Sequence, residues 1–121
     1  MNFTFKSVKT KEERIEEFQK ISKANKGKIP IICEKEPKSK IQSIDKTKYL
    51  INEELTVGQF TSLIRKKLNL DKEEALFLLV QGKNALTGNG TMADAYEKYK
   101  DEDGFLYIAY ASELVWGNYE I

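Results

Sequence analysis

Between Lys46 and Leu70 the hydrophobic rhythm of the chain changes from a period of two to a period of 3.6. In Lys48-Tyr49-Leu50-Ile51 the residues are β-prone, and alternation turns Lys48 and Leu50 one way and Tyr49 and Ile51 the other. One strand therefore offers side chains to two separate surfaces. Thr56, with Gln59 three residues on, spells a capping box, in which hydroxyl and side-chain amide satisfy the orphan donors of a helix start. Val57, Phe60, Ile64 and Leu68 then fall on one face, with Leu63 widening the stripe. This is an amphipathic helix that needs a sheet beneath it.

The same grammar reads the rest of the chain. Phe3 and Phe5 lie on a short leading segment whose rings are expected to pack back on the domain. Thr10 with Glu13 gives a second capping box, opening a helix with Ile15, Phe18 and Ile21 on one side and Glu16 paired with Lys20. Gly27 ends it. Lys28 to Lys35, KIPIICEK, reads as a largely buried strand, with Pro30 near its start or at an exposed position because proline donates no ladder hydrogen bond. Glu36 to Thr47 is a polar, lysine-rich open loop. Ala75 to Val80 is a short apolar run suited to a strand, and Gln81 to Gly90 a glycine-rich loop. Thr91 opens a helix with Met92, Ala95, Tyr96 and Tyr99 on one face, and Asp101 to Gly104 stops it. Phe105 to Tyr110 is apolar throughout and is expected at the centre of the sheet. The order is helix, helix, strand, strand, helix, strand, helix, strand. That predicts an α+β layer architecture of the ubiquitin-like β-grasp kind, with two N-terminal helices. The expected division is a helical extension over 1–26 followed by a core that begins at residue 27.

Composition narrows the chemistry. With 121 residues, 40% hydrophobic and 32% charged, the chain suits one ordinary globular domain. The net charge of +1 conceals a basic first part: residues 1–48 carry 13 Lys and Arg against 7 acids, while 49–121 carry 7 against 12. That first part attracts acidic partners. One cysteine and no histidine exclude disulfide frameworks, cysteine-rich zinc sites and Ser-His or Cys-His catalysis. Cys33 is expected to be a buried structural thiol. The glycines of 82–90 lack the spacing of a phosphate loop, and their turn chemistry suffices to explain them. The expectation is a non-enzyme with no cofactor, metal or nucleic-acid partner. No secretory signal or membrane span is read, which makes a cytoplasmic location the expectation.

Several blocks carry a further signal: Lys28-Ile-Pro-Ile-Ile-Cys-Glu-Lys35, Asp45-Lys-Thr-Lys-Tyr-Leu-Ile51, Leu55-Thr-Val-Gly-Gln-Phe60, Leu63-Ile-Arg-Lys-Lys67 and Asp101 to Tyr110. Over nearly its whole length the chain resembles the autophagy ubiquitin-like modifiers, the family of GABARAP and the microtubule-associated light chains. The resemblance implies that an extended peptide of the form aromatic-x-x-aliphatic, often preceded by acids, adds as a strand beside Lys48 to Ile51. It places Glu17, Ile21, Pro30, Ile32, Lys48, Leu50 and Phe105 around a first pocket for the aromatic residue. Tyr49, Ile51, Leu55, Phe60 and Leu63 line a second pocket for the aliphatic one. Lys28, Lys46, Lys48 and Lys67 meet the acidic flank. Without the resemblance, Leu50, Phe60 and Leu63 read equally as core and the lysines as a solvated face.

The resemblance also places the conjugated glycine at Gly117. It implies cleavage of Asn118 to Ile121 by a cysteine protease, activation and transfer by dedicated enzymes, and attachment to phosphatidylethanolamine on the autophagosome membrane. There the protein recruits cargo receptors and autophagy machinery. Two acyl chains gained together make a stable anchor. The sequence departs from the family pattern at Trp116, where Phe or Tyr is usual, at Asn52, which stands for a Pro, and in the loop 81–90, which lacks Pro-Pro-Thr. An unconjugated adaptor in vesicle trafficking or on the cytoskeleton is the alternative.

Overall fold

The computed structural model describes residues 2–81 and 84–113. The two capping boxes form as spelled. Thr10 accepts from the Glu13 amide and opens α2 (Lys11–Ala24), which follows a single-turn α1 (Thr4–Val8). Thr56 accepts from the Gln59 amide and opens α3 (Val57–Leu68). A third helix start, at Thr91, opens α4 (Met92–Tyr99). Five strands, β1 (Lys28–Lys35), β2 (Lys48–Asn52), β3 (Phe77–Val80), β4 (Asn84–Ala85) and β5 (Leu106–Ala111), form one sheet in the order β2-β1-β5-β3-β4. Only β1 and β5 run parallel, with Ile31 opposite Leu106; the other pairings are antiparallel. The all-apolar β5 is indeed central and buried at every residue.

Apolar side chains divide between the two faces of the sheet. On one face α3 and α4 cover the larger core, where Val57, Phe60, Ile64 and Leu68 pack over Ile31, Cys33, Tyr49, Ile51, Leu78, Val80 and Ile108. Each such fully buried side chain contributes about 1.5–3 kcal/mol relative to leaving it in water. On the other face α1 and α2 cover an aromatic cluster of Phe5, Phe105 and Tyr107 with Ile32, rimmed by Phe3, Phe18 and Ile21. Phe5 stands edge-on to Phe105 at 5.1 Å and Phe18 edge-on to the same ring at 6.2 Å, the geometry that aromatic quadrupoles favour. The leading rings thus pack on the domain as expected.

Four details differ from the sequence reading. The loop after β3 contains the two-residue β4, paired through Leu79 with Ala85. The third strand starts at Phe77 rather than Ala75. Pro30 is the third residue of β1 and is buried; it sits opposite Leu50, before β5 joins at Ile31. On α2, Ile15 belongs to neither core cluster, and the buried residue of that turn is Arg14. Its Nε donates to the Asp103 carboxylate at 2.7 Å, and the Tyr107 hydroxyl donates to the same oxygen at 2.5 Å. Helix α1 has no side-chain cap of its own; the Glu34 carboxylate on β1 accepts from the amides of Thr4 at 2.7 Å and Phe5 at 3.1 Å.

Two positions test this packing. Gly104 has φ +99°, and a Cβ built there would meet the Phe18 ring at 2.4 Å. Gly104→Ala is expected to cost about 2 kcal/mol in urea unfolding, from left-handed strain plus overpacking. Gly88→Ala, with nothing within 4 Å, serves as the control and should change stability by less than about 0.5 kcal/mol. Equal midpoints for the two variants would show that Phe18 does not rest on Gly104. The Tyr49 hydroxyl is buried and has no hydrogen-bond partner among the described residues. Tyr49→Phe should therefore leave stability unchanged within about 0.5 kcal/mol or raise it, whereas Tyr49→Ala, which opens a core cavity, should cost about 3–5 kcal/mol. A clear loss on removing the hydroxyl alone would reveal a partner for it.

Candidate functional site

Strand β2 lies at the end of the sheet, paired on one side with β1, and no strand of the described residues pairs with its other side. Its burial alternates residue by residue: Lys48, Leu50 and Asn52 are exposed, Tyr49 and Ile51 buried. A strand in this position keeps half of its backbone donors and acceptors free for an added strand. The five-residue length and the outward Lys48 limit indiscriminate pairing along that edge.

On the α2 side of β2 stand the residues expected for the first pocket. Glu17 and Ile21 are half-buried on successive turns of α2, and Lys48 and Leu50 face them from β2, Leu50 being 38% exposed. Ile32 and Phe105, at 0% and 1% exposure, belong to the aromatic cluster against which Ile21 packs, and Pro30 is buried opposite Leu50. The mouth is held by charge. Lys48 Nζ donates to one Glu17 oxygen at 2.7 Å and Lys9 Nζ to the other at 2.8 Å, while Lys48 also lies 5.1 Å from the Phe5 ring centroid. Burial pushes the Glu17 carboxyl up, but the hydrogen bonds and charges of Lys48 and Lys9 outweigh it and hold the group below the usual carboxylate range.

On the α3 side the second set divides differently. Phe60 is fully buried, edge-on to Tyr49 at 5.9 Å, and Tyr49 and Ile51 are core residues of the same cluster. Leu55 and Leu63 are half-buried around them and are the members within reach of a visitor. The four lysines expected to meet an acidic flank are all exposed but do not form one patch. Lys46 and Lys48 stand at the start of β2, Lys46 with its ammonium 5.2 Å from the Tyr49 ring centroid. Lys28 is opposite Asn52 at the far end of the strand pair, and Lys67 is in the last turn of α3. Gly117 and Trp116 lie outside the described residues.

Sequence reasoning missed the groups that set α2 in place. Asp103 is 1% exposed and accepts from Arg14, the Tyr107 hydroxyl and the Phe105 amide. Burial and the Asp103 carboxylate beside it raise the Tyr107 phenol above its ordinary value. An acid directly before Gly104 and an apolar strand was the available signal, and it reads locally as a turn. The Cys33 thiol is buried in the large core, and burial raises its pKa, so it is no nucleophile.

Comparison with known proteins meets this geometry. A family model described as "Autophagy protein Atg8 ubiquitin like" matches residues 13–117. Autophagy-related protein 8 of Neurospora crassa is 44% identical over 120 residues, covering 99% of this chain and 98% of its own. The protein of the same name from Saccharomyces cerevisiae is 44% identical over 117 residues, covering 97% and 99%. Among solved structures, that of Trypanosoma brucei ATG8 superposes with a TM-score of 0.86 at 41% identity, covering 94% of this chain and 97% of that one. The matched span takes in β2, most of α2, all of α3 and the whole of β5, and the chain belongs to the Atg8 ubiquitin-like family of autophagy proteins.

Proposed function

We propose that this protein is a ubiquitin-like modifier rather than a catalyst, processed after Gly117 by a cysteine protease and joined through that glycine to phosphatidylethanolamine. On autophagosomal membranes it recruits cargo receptors and autophagy machinery that carry aromatic-x-x-aliphatic segments; before conjugation it is cytoplasmic. The observation that carries the reading is the unpaired edge of β2, with Leu50 and Lys48 on one side of the strand and the half-buried Leu55 and Leu63 on the other. A peptide laid along that edge gains main-chain hydrogen bonds. Its aromatic side chain would enter between α2 and β2, over Ile32 and Phe105, and its aliphatic one against Leu55 and Leu63.

The acidic flank meets Lys46 and Lys48 at the start of the strand and Lys28 and Lys67 further off. Since Lys48 is already engaged by Glu17, an incoming carboxylate exchanges one partner for another. Its effect falls on encounter rate and salt dependence more than on final affinity.

Truncating Leu50, the exposed apolar residue of β2, should weaken binding of an aromatic-x-x-aliphatic peptide by about 2 kcal/mol in isothermal titration, with the urea midpoint nearly unchanged. Tyr49 is no substitute probe, since it is core. Unaltered affinity of Leu50→Ala would remove the groove from the proposal. For the tail, mass spectrometry of the protein from its own cells should find chains ending at Gly117 and a form carrying phosphatidylethanolamine. A population ending only at Ile121 would overturn conjugation and leave the groove to an adaptor role.

A further inference from the structure

At the end of β5 the chain passes from full burial at Ala111 to half-buried Ser112 and Glu113. Ser112 has no ladder partner there. Its amide donates at 3.1 Å to the hydroxyl of Ser39, a residue of the loop between β1 and β2 that is 5% exposed. The same hydroxyl accepts from the Ile41 amide at 3.3 Å and donates to Glu113 Oε1 at 2.9 Å. One donor and two acceptor sites are all that a serine hydroxyl has, so Ser39 is fully used. Ser112 Oγ, 3.3 Å from Ser39 Oγ, also hydrogen-bonds to Glu113 Oε1.

The loop that presents Ser39 is itself held. Lys35 Nζ donates to the carbonyls of Ser39 at 2.7 Å and Glu36 at 3.1 Å. The Glu36 amide donates to the Tyr110 carbonyl at 2.9 Å, and the Tyr110 hydroxyl to the Gln42 carbonyl at 2.9 Å. The hydroxyls of Ser112 and Ser39 in turn hold the Glu113 carboxyl below its ordinary range.

We infer that Ser39 is a positioning residue for tail processing: it holds the Ser112 amide and the Glu113 carboxylate, and so orders the root from which a processing protease takes the chain. The inference rests on the reading that the tail is processed after Gly117. Gly117 is four residues beyond Glu113, hence within about 14 Å of this anchor when extended. An ordered root leaves the protease fewer chain conformations to select from, so its effect falls on KM.

The test uses the full chain and the tail-cleaving cysteine protease activity purified from the source cells, with product ending at Gly117 measured by mass spectrometry. Ser39→Ala and Glu113→Ala should each raise the apparent KM about five-fold, the order one net hydrogen bond supports, with kcat within about two-fold. Glu113→Gln keeps an acceptor for both hydroxyls and should stay close to the parent. Amide order parameters from 15N relaxation should fall at residues 112 and 113 in both alanine variants, while the urea midpoint of Glu113→Ala stays put. Should Ser39→Ala fold poorly, Glu113→Ala alone decides. Cleavage of the parent with unchanged KM and order parameters in the variants overturns this role only. A parent chain that is never cut after Gly117 overturns the processing reading and this role with it.

Discussion

The structure depends on one turn, Asp101 to Gly104, because three helices are fastened to it. Asp103 takes the Arg14 guanidinium of α2, the Tyr107 hydroxyl of β5 and the Phe105 amide on its two oxygens. Phe18 of α2 lies against Gly104, and the Tyr96 hydroxyl of α4 donates to the Gly104 carbonyl at 2.6 Å. Asp101 receives Lys6 from α1 at 2.7 Å, and Glu102 receives Lys11 from α2 at 2.6 Å. These ion pairs differ in worth. The Lys11 pair is solvated and counts for little. The Arg14 pair is desolvated, so its net contribution over an apolar pair is small, yet removing one partner strands a buried charge and costs about 3–5 kcal/mol. It therefore acts as a selector of geometry: α2 has one seat, and from that seat Glu17 and Ile21 face β2.

That seating explains why the two faces of the sheet do different work. The α3 and α4 face holds most of the aliphatic core and is where the fold's stability concentrates. The α1 and α2 face is small and aromatic, five rings around Ile32, with its far rim formed by charged residues. Strand β2 belongs to both. Tyr49 and Ile51 commit one side of it to the core, which fixes its register against β1, and so leaves Lys48 and Leu50 at defined heights on the other. The rigidity of this edge therefore comes from the α3 and α4 face, opposite the side on which Lys48 and Leu50 stand.

How much of this the sequence disclosed follows from the range of the interactions. Capping boxes and stripes are local, and Thr10 with Glu13, Thr56 with Gln59 and the period-two run of β2 were legible and formed as spelled. The Arg14 and Asp103 pair joins residues 89 apart, and an arginine on a helix reads by itself as solvated. Glu34 caps α1 from 30 residues away, and Ser39 meets Ser112 across 73. Neither has a local spelling. The two-residue β4 was hidden because glycine-rich loop chemistry and a short edge pairing look alike in composition. For the site, periodicity gave the direction of each β2 side chain but not how much of Phe60, Ile32 or Phe105 the surrounding helices would cover.

The ion pairs of Glu17 bear on what sets affinity under the proposed function. Glu17 already neutralises Lys48 and Lys9, and Lys48 is half exposed, so replacing Glu17 by a ligand carboxylate exchanges one screened ion pair for another, on the order of 0–1 kcal/mol. An aromatic side chain removed from water between α2 and β2 buries about 150 Å² or more, roughly 4 kcal/mol at 25 cal/mol per Å². Main-chain bonds along the edge add about 1 kcal/mol each, net of the water they displace. Under the proposed function the aromatic residue therefore carries the affinity, the edge fixes the peptide's register, and the lysines govern how fast partners arrive. Glu17 has a further consequence for selectivity. By holding Lys48 in the absence of a partner, it keeps a lone acidic segment, without a ring to fill the pocket, from gaining more than a screened contact.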